Sequence, residues 1–135
     1  MKKILFVCVH NSGRSQMGEG IFNNKAQGCA RAISAGTKPA EMVNPVVATA
    51  MREIGIEIGT NKPKKLTWEM VKQSDKVISM GCMKDAEGAC PAGFLITQDW
   101  LIEDPKDKNI EAVRLIRDEI IQRVTKLVEE ICFDK

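Results

Sequence analysis

Cys8 closes the apolar run Ile4-Leu5-Phe6-Val7 and is followed by Val9-His10-Asn11-Ser12-Gly13 and then Arg14-Ser15. Five residues between a cysteine and an arginine let the chain curl into a ring whose backbone N–H groups point inward, a cradle for a tetrahedral oxyanion. Arg14 adds a planar fork of charged donors to the same oxygens, and a helix beginning at Ser15 aims the positive end of its dipole at the anion. The same field favours the thiolate of Cys8. A thiolate facing the central atom of a bound oxyanion is placed for in-line attack, with the oxygens neutralised by donors fixed beforehand. The plainer reading is a buried cysteine ending a core strand beside a capping arginine. It leaves unexplained Gly13, free to take positive φ, and the turn-forming Asn11 and Ser12.

A second set of thiols is Cys82 and Cys90, which flank a seven-residue spacer, Met83 to Ala89, containing Gly88 and no strong periodicity. Closing so short and pliable a loop costs little. Three thiols suggest a relay: Cys8 attacks the anion, Cys82 attacks the adduct, and Cys90 resolves the intermediate into a Cys82–Cys90 disulfide. The alternatives are that Cys82 and Cys90 are inert, or that they bind metal, alone or with Cys8. The metal reading lacks a second closely spaced ligand pair. Cys29, between Gly28 and Ala30, and Cys132, near the chain end, read as bystanders. Asp104, before Pro105, is an acid able to protonate the oxygen that leaves as Cys8 attacks, or simply a turn residue. His10 lies within the loop and receives no separate role.

These groups need elements to hold them. The chain has 135 residues, 44% of them hydrophobic, which suits one domain with a modest core. The formal charge of +2 and the absence of tyrosine leave little for a nucleic-acid surface, and Lys62-Pro63-Lys64-Lys65 reads as a solvated loop. No stretch approaches the ~20 apolar residues of a membrane span, so a cytoplasmic monomer is expected. Five cysteines, an odd number, without a secretion signal argue against a structural disulfide framework.

Residues 2–9 read as a buried strand, and 15–25 as a helix with Met17, Ile21 and Phe22 on one side and Gly28 as its stop. Residues 31–35 predict a second strand. Asn44-Pro45 caps a helix running to Gly55, Thr67 caps a short helix, and 76–80 is a third strand. A last short strand is expected at Phe94-Leu95-Ile96. From Ile110 to Ile131, Val113, Leu115, Ile116, Ile120, Val124, Leu127, Val128 and Ile131 predict a long amphipathic helix. Alternating strands and helices imply an α/β fold, a parallel sheet covered on both faces, with the site at the strands' carboxyl ends.

Taken in order, Cys8 through Met17 with Glu19-Gly20, Ser34-Ala35-Gly36, Asn44-Pro45, Cys82 with Cys90-Pro91, Asp104-Pro105 and Arg117-Asp118-Glu119-Ile120 resemble a thioredoxin-coupled arsenate reductase on the low-molecular-weight tyrosine phosphatase fold. The resemblance spans nearly the whole chain and implies a three-layer architecture with a four-stranded parallel sheet. It further implies that Cys8 is the nucleophile toward arsenate, with phosphate or sulfate as mimics, and that Arg14 and the amides of Val9 through Ser15 clamp the anion. Ser15 then supports the thiolate, Asp104 is the general acid, and Cys82 and Cys90 carry electrons from thioredoxin or a related thiol reductant. No cofactor is bound, although Asn11 matches a loop asparagine that contacts potassium in relatives, and Gly13 stands where some relatives carry cysteine. The alternatives are a protein tyrosine phosphatase and a non-catalytic oxyanion or arsenite binder. Against the phosphatase, Lys106-Asp107 follow Asp104-Pro105 where such enzymes usually carry aromatic residues.

Overall fold

β1, Lys2–Cys8, is apolar on both faces at its centre, the pattern of a strand covered from two sides. The computed structural model describes residues 1–80 and 98–133. Within it Ile4, Phe6 and Cys8 face one apolar cluster and Leu5 and Val7 the other, as the two-residue strand period requires. β2 (Ala30–Gly36) pairs in parallel with β1, from Lys2 opposite Ala30 to Cys8 opposite Gly36. β3 (Lys76–Ser79) pairs in parallel on the other side of β1, and β4 (Gln98–Asp99) pairs in parallel with β3. The sheet therefore runs β2-β1-β3-β4. The chain leaves β1 for one neighbour and later returns to the other, so the carboxyl ends of β1 and β3 flank the point where strand order reverses. Parallel sheets bind ligands at such points, and Cys8 stands there.

α1 (Arg14–Ala26), α2 (Pro45–Arg52) and α4 (Ile110–Val128) cover the face of Ile4 and Phe6; the short α3 (Trp68–Gln73) gives Val71 to the other. The result is the expected three-layer α/β arrangement with a four-stranded parallel sheet. Three helices begin with side-chain caps: Asn44 accepts from Val46 N–H at 2.9 Å, Thr67 from Met70 N–H at 3.2 Å and Asn109 from Ala112 N–H at 2.9 Å.

Several expectations change. α1 ends at Ala26, and its left-handed cap is Gln27, at φ 46°, rather than Gly28. α2 ends at Arg52 rather than Gly55. Leu115 is 73% exposed although it belonged to the predicted apolar face. Two positions from Val113 is about 200° around a helix, so it faces away from Val113, Ile116 and Ile120. The strand expected at 94–96 lies outside the described residues. After α4 a π-type turn, Glu129–Phe133, ends the described chain, and within it Cys132 forms a disulfide with Cys29, Cα atoms 6.0 Å apart. The reading of these two cysteines as bystanders, and the argument against a structural disulfide, are thereby corrected. An odd cysteine count says nothing about which pair a fold brings together.

Candidate active site

The loop from Cys8 to Gly13 is shaped from outside. Thr37 N–H donates to the carbonyl of Cys8 at 3.3 Å, Lys38 to Val9 at 2.8 Å, Ala40 to His10 at 2.9 Å and Asn44 to Ser12 at 2.9 Å. No peptide bond among the described residues is cis, so each N–H points away from the carbonyl of its own peptide. Four carbonyls tied outward thus turn the amides of Val9, His10, Asn11 and Gly13 to the other side, as an anion cradle requires. α1 continues the cradle: Gly13 is its N-cap and offers no side chain, so α1 alone among the four described helices lacks a side-chain cap. First-turn amides without a cap are ready donors for an anion.

Inside the loop one fixed donor orients a chain of hydrogen bonds. Lys64 backbone N–H donates to Asn11 Oδ1 at 2.9 Å, which identifies that atom as the oxygen. Asn11 Nδ2 then donates to Ser15 Oγ at 2.7 Å and to Ser34 Oγ at 2.9 Å. Ser34 Oγ–H in turn donates to Glu19 Oε1 at 2.8 Å. Ser15 lies 2.8 Å from Cys8 Sγ; a thiolate sulfur can only accept, so toward the nucleophilic form of Cys8 the Ser15 hydroxyl is the donor. That geometry stabilises a thiolate. Asn11 makes these contacts at φ 50°, a left-handed conformation that asparagine tolerates better than most residues. Gly36, which the sequence offers only as part of the Ser34-Ala35-Gly36 motif, meets the loop backbone: a Cβ there would lie 2.5 Å from Val9 O and 2.9 Å from Asn11 N.

Arg14 is 3% exposed, its Nη1 donating to Ile102 O at 3.1 Å and its Nη2 3.7 Å from Asp104 Oδ2. Trp100 and Ile102 are buried on either side of exposed Leu101 and pin this segment to the core. Asp104 closes a tight turn by accepting from Lys106 N–H at 3.0 Å. Pro105 touches the loop so closely that a Cβ on Gly13 would fall 2.7 Å from its Cγ. The structure thus brings Cys8, Arg14, Ser15 and Asp104 to one place. Cys82 and Cys90 lie outside the described residues.

The sequence matches the family described as low molecular weight phosphotyrosine protein phosphatase over residues 3–135. The chain belongs to that family. It is similar to a glutaredoxin arsenate reductase of Synechocystis sp., 33% identical over 135 residues, covering 97% of this chain and 99% of that one. Among solved structures it resembles an arsenate reductase in the phosphate binding state, at TM-score 0.82 and 31% identity, covering 97% of this chain and 99% of that one. It also resembles a thioredoxin-dependent arsenate reductase of Corynebacterium glutamicum, at TM-score 0.81 and 34% identity, covering 100% of this chain and 64% of that one.

Two features of the site bear on what this member of the low molecular weight phosphatase family can bind. A cleft of about 150 Å³ beside the loop is lined, among the described residues, by His10, Ser12, Ala40, Asn44, Asp104, Pro105 and Lys106, with no Phe or Trp among them. The Asn11 carboxamide oxygen accepts from both Gln16 Nε2, at 3.2 Å, and Lys64 N–H, using both of its lone pairs. Asn11 therefore does not fit as a potassium ligand. The Lys64 ammonium lies 3.8 Å from Glu19 Oε1.

Proposed function

We propose that the chain reduces arsenate to arsenite. The carrying observation is the Ser15 hydroxyl aimed at Cys8 Sγ at 2.8 Å, within a loop whose carbonyls are tied outward. The arsenate reductase relatives in sequence and structure support the same reading. Loop amides and Arg14 hold the oxyanion, and the Cys8 thiolate attacks arsenic. Asp104, 41% exposed at the cleft, protonates the departing oxygen, which leaves as water. Cys82 then attacks Cys8 sulfur, and the As–S electron pair passes to arsenic, so As(V) leaves as arsenite and a Cys8–Cys82 disulfide forms. Cys90 attacks Cys82 and frees Cys8, leaving a Cys82–Cys90 disulfide for a dithiol protein of the thioredoxin or glutaredoxin kind.

The test is arsenite production with thioredoxin, thioredoxin reductase and NADPH. Turnover in the parent, lost in Cys8→Ser, Cys82→Ser and Cys90→Ser, is the expected result. No turnover with that system or with glutaredoxin and glutathione, alongside phosphotyrosine hydrolysis that survives Cys82→Ser and Cys90→Ser, would make the protein a phosphatase. The shared loop and the family's description favour that second reading; the lack of Phe or Trp among the described residues lining the cleft disfavours it.

A further inference from the structure

We propose that Cys29 and Cys132 form a second thiol–disulfide site, a redox-modifiable staple acting on stability and not on the chemistry of Cys8. Its placement makes it separate. Cys29 directly precedes Ala30, which pairs with Lys2 at the start of β1, whereas Cys8 pairs with Gly36 at the other end. Six residues of strand set the two sites roughly 20 Å apart. The bond joins the turn between α1 and β2 to the last described turn of the chain, closing a loop with a sequence separation of 103 residues. Few crosslinks in a chain of 135 residues could constrain the unfolded state more.

The two sulfurs differ in access. Cys132 and its neighbour Ile131 are half-buried and pack against the main apolar cluster, while Cys29 is exposed. A dithiol reductant thus attacks Cys29 Sγ: its thiolate forms a mixed disulfide there, and Cys132 leaves as a thiolate that takes a proton. The reductant's second thiol then displaces Cys29, so two electrons and two protons enter the protein and the reductant departs as a disulfide. A small-molecule disulfide such as oxidised glutathione drives the reverse. The Cα separation of 6.0 Å lies in the ordinary range for a disulfide, so neither direction requires the backbone to be rebuilt. This inference does not depend on arsenate being the substrate.

The experiment compares thermal unfolding of protein equilibrated with oxidised glutathione and with dithiothreitol, in the parent and in Cys29→Ser and Cys132→Ser. Peptide mass spectrometry identifies the crosslink in each sample. Oxidised parent is expected to carry a peptide linking Cys29 to Cys132 and to melt on the order of 10 °C above reduced parent. Both variants should lose this shift and keep only whatever the Cys82–Cys90 pair contributes, which Cys82→Ser/Cys90→Ser protein measures separately. Hydrolysis of p-nitrophenyl phosphate by reduced parent and by both variants should be equal. Absence of the linked peptide, an unchanged melting temperature, or an equal reductant-induced shift in Cys29→Ser would each overturn the proposal.

Discussion

Replacing Ser15 by alanine removes the one hydroxyl aimed at the sulfur while leaving the loop backbone and Arg14 in place. Ser15 lies 2.8 Å from Cys8 Sγ, and because the attacking thiolate can only accept, the hydroxyl is its donor, while Asn11 Nδ2 donates to the same oxygen at 2.7 Å. A hydrogen bond to a charged group contributes about 1.5–3 kcal/mol. With each 1.36 kcal/mol worth tenfold, Cys8 should react about ten- to hundredfold more slowly. The same change leaves one Asn11 N–H in a buried site without an acceptor, costing about 1–3 kcal/mol, or several degrees of melting temperature. The assay is iodoacetamide labelling of Cys8 at pH 7, resolved by peptide mass spectrometry, beside arsenate turnover of the same preparations. Circular dichroism shows whether the variant is folded at the assay temperature. Labelling and turnover within twofold of the parent, in a folded variant, would refute the assignment of the Ser15 proton to the sulfur.

Three further outcomes follow from the same geometry. Gly36→Ala places a Cβ 2.5 Å from Val9 O, against backbone rather than a pliable side chain, so stability should fall by about 1–3 kcal/mol and phosphate affinity measured by calorimetry should fall with it; unchanged affinity would show that the loop does not depend on this approach. Arg114, and to a lesser extent Arg117, hold the Glu53 carboxyl down to about 2 from its ordinary 4.5. Because the folded value lies below the unfolded one, the contribution is complete above about pH 4.5 and is lost as pH falls toward 2; melting temperature should drop over that window, less steeply in Glu53→Gln, and parallel slopes would contradict it. Since both acceptor positions of Asn11 are occupied, arsenate turnover should be equal in potassium and sodium buffers of equal ionic strength, and a severalfold gain specific to potassium would reverse that reading.

What the sequence revealed divides along physical lines. β1 was legible because a doubly covered parallel strand is a continuous apolar run, and α2 because Asn44-Pro45 is a cap with a mechanism. Cys8 and Arg14 stand out as chemical types in a recognisable spacing, Ser15 and Asp104 take their expected roles from the family resemblance, and the structure brings the four side chains to one place. The clasp of Thr37, Lys38, Ala40 and Asn44 was invisible, since it acts through backbone N–H groups that every residue except proline possesses. Gly36 carried a signal, standing next to Ser34-Ala35, but its reason is a close approach that only a fold discloses. The Cys29–Cys132 bond joins residues 103 positions apart, and no local pattern encodes such a pairing.

Asn11 is where these strands of argument meet. A left-handed residue other than glycine costs roughly 1–2 kcal/mol, and it persists only where its surroundings over-determine it. Here they do: the side chain has two donors and two lone pairs, and all four are answered, by Ser15, Ser34, Gln16 and the Lys64 backbone. All four partners lie outside the Cys8–Gly13 loop, on three separate segments, α1, β2 and the stretch containing Lys64, so the turn of the loop, the orientation of the Ser15 hydroxyl and the seating of residue 64 are one arrangement. Loop shape and sulfur environment should therefore fail together. Asn11→Ala should lose anion affinity and Cys8 reactivity in the same variant, whereas Ser15→Ala should lose reactivity with affinity largely kept, because it leaves three of the four Asn11 contacts intact.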